Sequence, residues 1–187
     1  MNCFSRSHLK QSALSTPALC FALAISFGLG TSASAYADEQ AGAVKLVSSA
    51  PFAADNDIRK KITNNCTTLG AKLSSFTQSF AEKNGVVVQL VDSVDTAAAG
   101  RVLELEIDQA VSQGNAFIGH RKFVGVRGTL WEDGQRVATF DGERSSGGGF
   151  AAGYKSSCAV LGRCVKALGK DIAAWLENPV DEAEIGE

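Results

Sequence analysis

The stretch Leu103-Glu104-Leu105-Glu106-Ile107-Asp108 decides the fold, because apolar and acidic side chains alternate along it without interruption. Successive side chains of a β-strand point to opposite faces of a sheet, so this pattern predicts a strand with one buried face and one wet face. Apolar residues line one face of the next predicted strand, at 124–130, and Asp133-Gly134 predicts a tight hairpin turn into a strand at 137–140. These segments together predict an antiparallel meander.

Two helical patterns flank the meander. The first is predicted to begin near Asp55 or Asp57, whose carboxylates suit a helix N-terminus, and to end at Asn84-Gly85. The second follows a Gly/Ser-rich run at 145–153 and is predicted to stop at Asn178-Pro179. Apolar residues recur in both at the spacing of a helix face: Ile58, Ile62, Cys66, Leu69, Leu73, Phe76 and Phe80 in the first, and Leu161, Val165, Leu168, Ile172, Trp175 and Leu176 in the second.

A short strand at 43–47 and a continuous apolar run at 86–91, typical of a strand covered on both faces, complete the pattern. One-sided helices and a one-sided sheet bury their apolar faces against each other. The sequence therefore predicts an α+β fold, a two-layer sandwich with two helices on one face of a mostly antiparallel sheet, in the order β-α-β-β-β-β-α. The predicted domain spans 43–178, between a flexible lead-in at 38–42 and an acidic, disordered tail at 179–187.

The first 37 residues have the composition of a secretory signal peptide. Arg6 and Lys10 precede an apolar run at 18–27, and Ala35-Tyr36-Ala37 matches the A-x-A pattern cut by signal peptidase. The apolar run is too short and too weakly flanked for a good membrane span. We therefore predict export to the periplasm, or secretion, with a mature chain that begins at Asp38 and has no membrane span.

Charge and cysteine content limit the functions and the compartment that this chain can have. Residues 38–187 keep all 20 acidic residues and 16 of the 18 basic ones, a net charge of −4 without any basic block, so nucleic acid is a poor partner. Cleavage removes Cys3 and Cys20 and leaves three cysteines, of which two are expected to form a disulfide in an oxidising compartment. Cys66–Cys158 is favoured, with Cys164 as a small core thiol. The pairings Cys66–Cys164 and Cys158–Cys164 remain alternatives.

Several patterns that suggest chemistry have simpler explanations. The run at 148–156 nearly spells a phosphate-binding loop, but Tyr154 separates the second glycine from Lys155. His120 is the only histidine left after cleavage, which makes a metal site poorly supported. Glu104 and Glu106 share a strand face with Asp108, which is more typical of a polar sheet face than of paired catalytic carboxylates. We assign no catalytic, metal-ligating or cofactor-binding residue and no cofactor.

Partner contact is predicted in two glycine-rich loops. Aromatic residues in such loops cannot be buried in regular layers and are candidates for binding, although they could also fold back over a sheet edge. The candidate partner-binding residues are Phe117, His120, Arg121, Lys122, Phe150, Tyr154 and Lys155.

Five features resemble a group of exported proteobacterial proteins of unknown function: the cysteine near the start of the first helix, Gly114-Asn115-Ala116-Phe117, Asp133-Gly134, and two runs at 155–163 and 166–176. The resemblance covers nearly all of the mature chain and implies a periplasmic domain without catalytic residues to transfer. The order of elements is also similar to the small α/β domains of curli-secretion lipoproteins and of the Tol-system periplasmic protein. That likeness implies a role in envelope assembly by analogy.

The predicted function is a soluble periplasmic, non-catalytic domain that binds an envelope protein or another cell-surface component. The alternative is an extracytoplasmic enzyme or enzyme inhibitor that acts through the loops around His120 and Tyr154.

Overall fold

The strands in the described part of this protein form a single mixed sheet, and helices cover one of its faces. The computed structural model describes residues 42–54, 58, 60–115, 119–146 and 156–186, with the side chains of 113–115 and 119–121 left out. The predicted signal peptide and most of the lead-in lie outside these residues. The described elements are β1 (Val44–Val47), α1 (Lys60–Asn65), α2 (Leu69–Lys83), β2 (Val88–Val91), β3 (Arg101–Asn115), β4 (Gly119–Glu132), β5 (Gln135–Ser145), α3 (Ser157–Glu177) and β6 (Ala183–Ile185).

The strand order in the sheet is β2-β1-β3-β4-β5-β6. The two long pairings, β3 with β4 and β4 with β5, are antiparallel and form the predicted meander. The three short pairings, β1 with β2, β1 with β3, and β5 with β6, are parallel. The predicted α+β fold is confirmed. The predicted turn is present as well, since Asp133 and Gly134 both have positive φ (49° and 80°), as a two-residue type I′ hairpin requires.

The core lies between the sheet and the helices. Leu103, Leu105 and Ile107 point to the helical side of β3 and are almost completely buried, as their alternation with acidic residues predicts. The apolar stripes of α2 and α3 face the same side and belong to the same buried cluster, whose helical members include Leu69, Leu73, Leu161, Val165, Leu168 and Ile172.

The first predicted helix is divided in two. α1 ends at Asn65 and α2 begins at Leu69, so the continuous helix predicted from Ile58 to Phe80 is wrong at 66–68. Thr67 and Thr68 have β-branched side chains with low helix preference, which favours a break at this point. The predicted starts at Asp55 and Asp57 lie outside the described residues.

The strands also differ from the prediction at three places. The loop predicted at 114–119 is shorter, because the β3–β4 ladder continues to the pair Asn115 and Gly119. The run 86–91 is not covered on both faces, because Gln89 is exposed and Val87 beside β2 is 41% exposed; β2 is also an edge strand. The tail predicted to be disordered contains β6, because Ala183 and Ile185 pack against the core and the backbone between them pairs with β5.

Candidate functional site

The cysteines adopt the favoured arrangement. Cys66 and Cys158 form a disulfide with their Cα atoms 5.3 Å apart, which links the break between α1 and α2 to the first turn of α3. Cys164 is a buried free thiol, and burial raises its pKa. Both alternative pairings are therefore excluded. Cys66 itself is buried, so the bridge is part of the core of this domain.

Most of the predicted partner-binding residues fall outside the described residues: this holds for Phe117, Phe150, Tyr154 and Lys155 and for the side chains of His120 and Arg121. The backbones of His120 and Arg121 belong to β4, opposite Gly114 and Gln113 of β3. Lys122 lies in β4, opposite Ser112 of β3, rather than in an exposed loop, and it is only 8% exposed. That position corrects the prediction that Lys122 belongs to a glycine-rich loop.

The face of the sheet opposite the helices carries an ordered polar surface, which we call the open face. It is built by alternate residues of the three meander strands, among them Glu104 and Glu106 of β3 and Arg127 of β4. Arg127 forms an ion pair with Glu106 across the β3–β4 ladder. The indole Nε1 of Trp131 donates a hydrogen bond to Glu104 (3.1 Å). These pairs fix the positions of two carboxylates without neutralising the surface.

Asp108 occupies a β-bulge at the far end of this face. The β3–β4 register shifts between Ile107 and Gln109, so Asp108 is the additional residue of β3. Its Oδ1 atom is buried and has no hydrogen-bond partner among the described residues, and it lies where a side chain at Gly125 would otherwise stand. Burial raises the pKa of this carboxyl, while the nearby Arg127 guanidinium lowers it in part.

The C-terminal segment forms one wall of the open face. Thr139 Oγ1 donates a hydrogen bond to Asp181 Oδ1 (2.8 Å) and accepts one from the Glu182 backbone N–H (3.2 Å). The hydrogen bond from Thr139 lowers the pKa of the Asp181 carboxyl. Arg136 approaches the same carboxylate at 3.7 Å. These contacts bring Glu182 and Glu184 to the edge of the surface formed by β3, β4 and β5.

Two adjoining concavities follow from this arrangement, and both are acidic. The larger, of about 620 Å³, is lined by five carboxylates and one guanidinium: Glu104, Glu106, Asp141, Glu182, Glu184 and Arg127. The smaller, of about 440 Å³, shares Asp141 and Glu184 and adds Asp108 and Glu143. Among the described residues, seven carboxylates thus line the two concavities together with one guanidinium. A surface of this kind attracts positive charge and offers many hydrogen-bond acceptors.

Sequence reasoning identified only part of this surface. The alternation along β3 identified Glu104, Glu106 and Asp108 as members of one polar face. The same alternation runs along β5, where Thr139, Asp141 and Glu143 occupy every second position, and it is the signal in the sequence for the β5 part of this surface. Nothing in the sequence indicated that the acidic tail joins them.

Two further observations concern chemistry and membranes. Within the described residues, His, Cys, Asp and Glu side chains do not gather in any group of three or more that could hold a metal ion. Across the same parts of the chain, no helix combines the length and apolar character needed to cross a bilayer.

Comparison with known proteins gives no family. No protein-family model matches the chain, and no curated protein sequence matches it. Among solved structures, a minor lipoprotein from Acinetobacter baumannii is 14% identical with a TM-score of 0.43, over 77% of this chain and 99% of that one. The lipoprotein GNA1162 from Neisseria meningitidis is 12% identical with a TM-score of 0.43, over 68% and 94%. The PelC dodecamer from Paraburkholderia phytofirmans is 14% identical with a TM-score of 0.42, over 69% and 86%. Similarity at these values carries no information about function.

Proposed function

We propose that this protein is an exported, non-catalytic binding domain of the cell envelope. Its open face binds a positively charged segment of an envelope protein or of another cell-surface component. The observation that carries this proposal is the excess of carboxylates over guanidinium groups in the two adjoining concavities. A cationic segment lying in them would neutralise charges that now repel each other.

Two independent features support an extracytoplasmic location. The Cys66–Cys158 disulfide lies in the core, and such bonds form and persist in oxidising compartments such as the periplasm or the cell exterior. The first 37 residues have the pattern of a cleavable export signal. Both agree with a site of action in the periplasm or, as the alternative, outside the cell.

The electrostatics of the open face predict how such binding behaves. Glu106 is already paired with Arg127 and contributes less free charge, whereas the neutral indole of Trp131 orients Glu104 and leaves its negative charge in place. Asp141 and Glu184 line both concavities and stand at the centre of the acidic surface. Binding that depends on these charges weakens as salt is added, because exposed charges are screened over about 10 Å at 0.1 M ionic strength.

The experiment measures the affinity of an octalysine peptide for the full exported chain, with octaglutamate as the comparison peptide. The test variant is Asp141→Asn with Glu184→Gln. The matched control is Glu82→Gln with Glu177→Gln, which removes the same amount of charge from exposed positions on the helical layer. We expect octalysine to bind the wild-type and control chains in a salt-dependent manner, and the test variant to bind at least about fivefold more weakly.

Three results would contradict the proposal: no octalysine binding at low salt, binding that salt does not weaken, or an equal loss of octalysine affinity in the test variant and the control variant. The same three chains, immobilised and exposed to an envelope extract, then identify the natural partner. It is the component that the wild-type and control chains retain and the test variant loses.

A further inference from the structure

The C-terminal strand β6 is held only lightly by the domain. It contains three residues, Ala183–Ile185, which pair in parallel with Phe140, Asp141 and Gly142 of β5. None of its side chains is completely buried. Edge elements with few buried apolar contacts open at a small fraction of the cost of global unfolding. β6 is therefore among the elements of this sheet that detach most easily.

The surface that receives β6 is nevertheless specific. A Cβ atom at position 142 would lie 2.8 Å from Ile185 Cγ1, so the absence of a side chain at Gly142 makes room for Ile185. Just before the strand, the Trp175 indole Nε1 donates a hydrogen bond to the Val180 carbonyl (3.0 Å), and Thr139 binds Asp181. Residues 180–185 thus dock on a site formed by β5 and α3.

A short hinge connects this docked segment to the rest of the chain. α3 ends at Glu177, and Asn178 has φ −146° and ψ 80°, an extended conformation that agrees with the restriction on a residue before proline. Pro179 cannot continue the helix and donates no backbone hydrogen bond. The backbone can therefore redirect at Asn178 and Pro179 while α3 and the docking site stay intact.

We propose that residues 180–185 exchange between two copies of this chain, so that the C-terminal strand of each copy docks on β5 of the other. A second copy is the fitting occupant because it carries the same Ile185, Val180 and Asp181, and therefore reproduces every contact of the docked segment in the same register. Glu182 and Glu184 of the partner subunit then complete the acidic concavities of the receiving copy. The exchange does not depend on the proposed binding function.

The test uses a pair of cysteines, Asp141→Cys with Glu184→Cys, at positions directly opposite each other in the β5–β6 register. Two full-length preparations with different affinity tags are mixed over a range of concentrations and then oxidised. We expect covalent dimers that carry both tags and are joined through the two introduced thiols, in a fraction that rises with protein concentration. The matched control is Glu104→Cys with Thr129→Cys, opposite positions in the β3–β4 ladder, which cannot exchange without unfolding. It should form links within one chain only.

Two outcomes overturn the exchange: links confined to single chains at every concentration, or mixed-tag dimers that appear equally in the control pair. Neither outcome affects the octalysine experiment, because a closed monomer presents the same acidic surface. Failure of the octalysine experiment likewise leaves the exchange intact.

Discussion

The ring of Phe140 lies against the backbone of Gly128, its register partner on the neighbouring strand, in the space where a side chain would stand. Phe140 is almost completely buried and makes an edge-to-face contact with Trp175 of α3, with ring centroids 4.7 Å apart. The missing side chain at Gly128 therefore allows β5 to pack against α3. Because the indole of Trp175 also holds Val180, this contact supports the C-terminal segment as well.

Replacement of this glycine should disrupt the contact. In Gly128→Ala the new methyl group overlaps the Phe140 ring, which has to move away from Trp175, and we expect a loss of about 1–3 kcal/mol in the free energy of unfolding. Urea denaturation measures it. The control is Gly162→Ala in α3, where nothing beyond the neighbouring residues and the helix's own backbone lies within 4 Å of the added Cβ and where alanine should stabilise the helix by up to about 1 kcal/mol. Equal effects at the two positions would show that the Phe140 contact is not responsible.

The layers of the fold could be predicted because each depends on a local pattern. Alternation at 103–108 identifies a one-sided strand, and the stripe from Leu161 to Leu176 identifies a one-sided helix. Helix geometry disfavours only the Cys158–Cys164 bridge, because these residues are too far apart along one helix to be joined. Cys158 is preferred to Cys164 as the partner of Cys66 because it lies at the predicted start of the last helix, and only the structure decides between them. For the strand and the helix, the physical constraint acts over a few neighbouring residues, and the sequence records it directly.

The remaining features depend on which segments meet. The run 86–91 has the apolar character of a central strand, yet β2 lies at the edge because β1 pairs with β3 on its other side. The tail has an acidic composition typical of disorder, but Ile185 finds a position above Gly142 that only the completed sheet provides. The acidic concavities likewise arise from register across β3, β5 and the tail. No single segment contains that information.

Removal of the disulfide should lower the free energy of unfolding more than any other change to the cysteines. The bridge joins residues 92 positions apart, and on the chain-entropy model it stabilises the folded state by roughly 4 kcal/mol. We expect the double variant Cys66→Ala with Cys158→Ala to lose most of this stabilisation. The control Cys164→Ala removes a buried thiol without opening a loop and should cost about 1 kcal/mol. Equilibrium denaturation distinguishes the two, and a double variant no less stable than the control would contradict the expectation.

Asp108 should make stability depend on pH. Burial raises the pKa of Asp108 in the folded state, so the ionised carboxylate destabilises the fold. The resulting loss of folding stability grows as the pH rises from the ordinary carboxyl pKa of 3.8 through the raised pKa. Asp108→Asn should therefore be more stable than the wild type at neutral pH, by about 0.5 kcal/mol or less since the side chain is partly exposed and screened. The gain should vanish in acid, where the wild-type carboxyl is protonated in both states. Denaturation at several pH values tests this, with Asp92→Asn at an exposed bend as the control. A gain that persists in acid would rule out the charge of Asp108 as its cause.

Thr139 should control how firmly the tail is attached. Thr139→Val keeps the shape of the side chain but removes the hydrogen bonds to Asp181 and Glu182, so the backbone amides of β6 should exchange with deuterium several-fold faster. Global stability should change little, because β6 is an edge strand of three residues. Thr129→Val, its register partner on β4, is the control.

The same contact predicts an effect of acid on the tail. The hydrogen bond from Thr139 lowers the pKa of Asp181. At pH values above the ordinary carboxyl pKa of 3.8, the ionised carboxylate therefore helps to hold the tail in place. This attachment is lost as the pH falls through the lowered pKa. In the wild type, exchange at 183–185, corrected for its intrinsic dependence on pH, should accelerate on acidification. In Thr139→Val that acceleration should be much smaller. If acid loosens the tail equally in both chains, another group is responsible, and the Thr139–Asp181 hydrogen bond does not hold β6 in place.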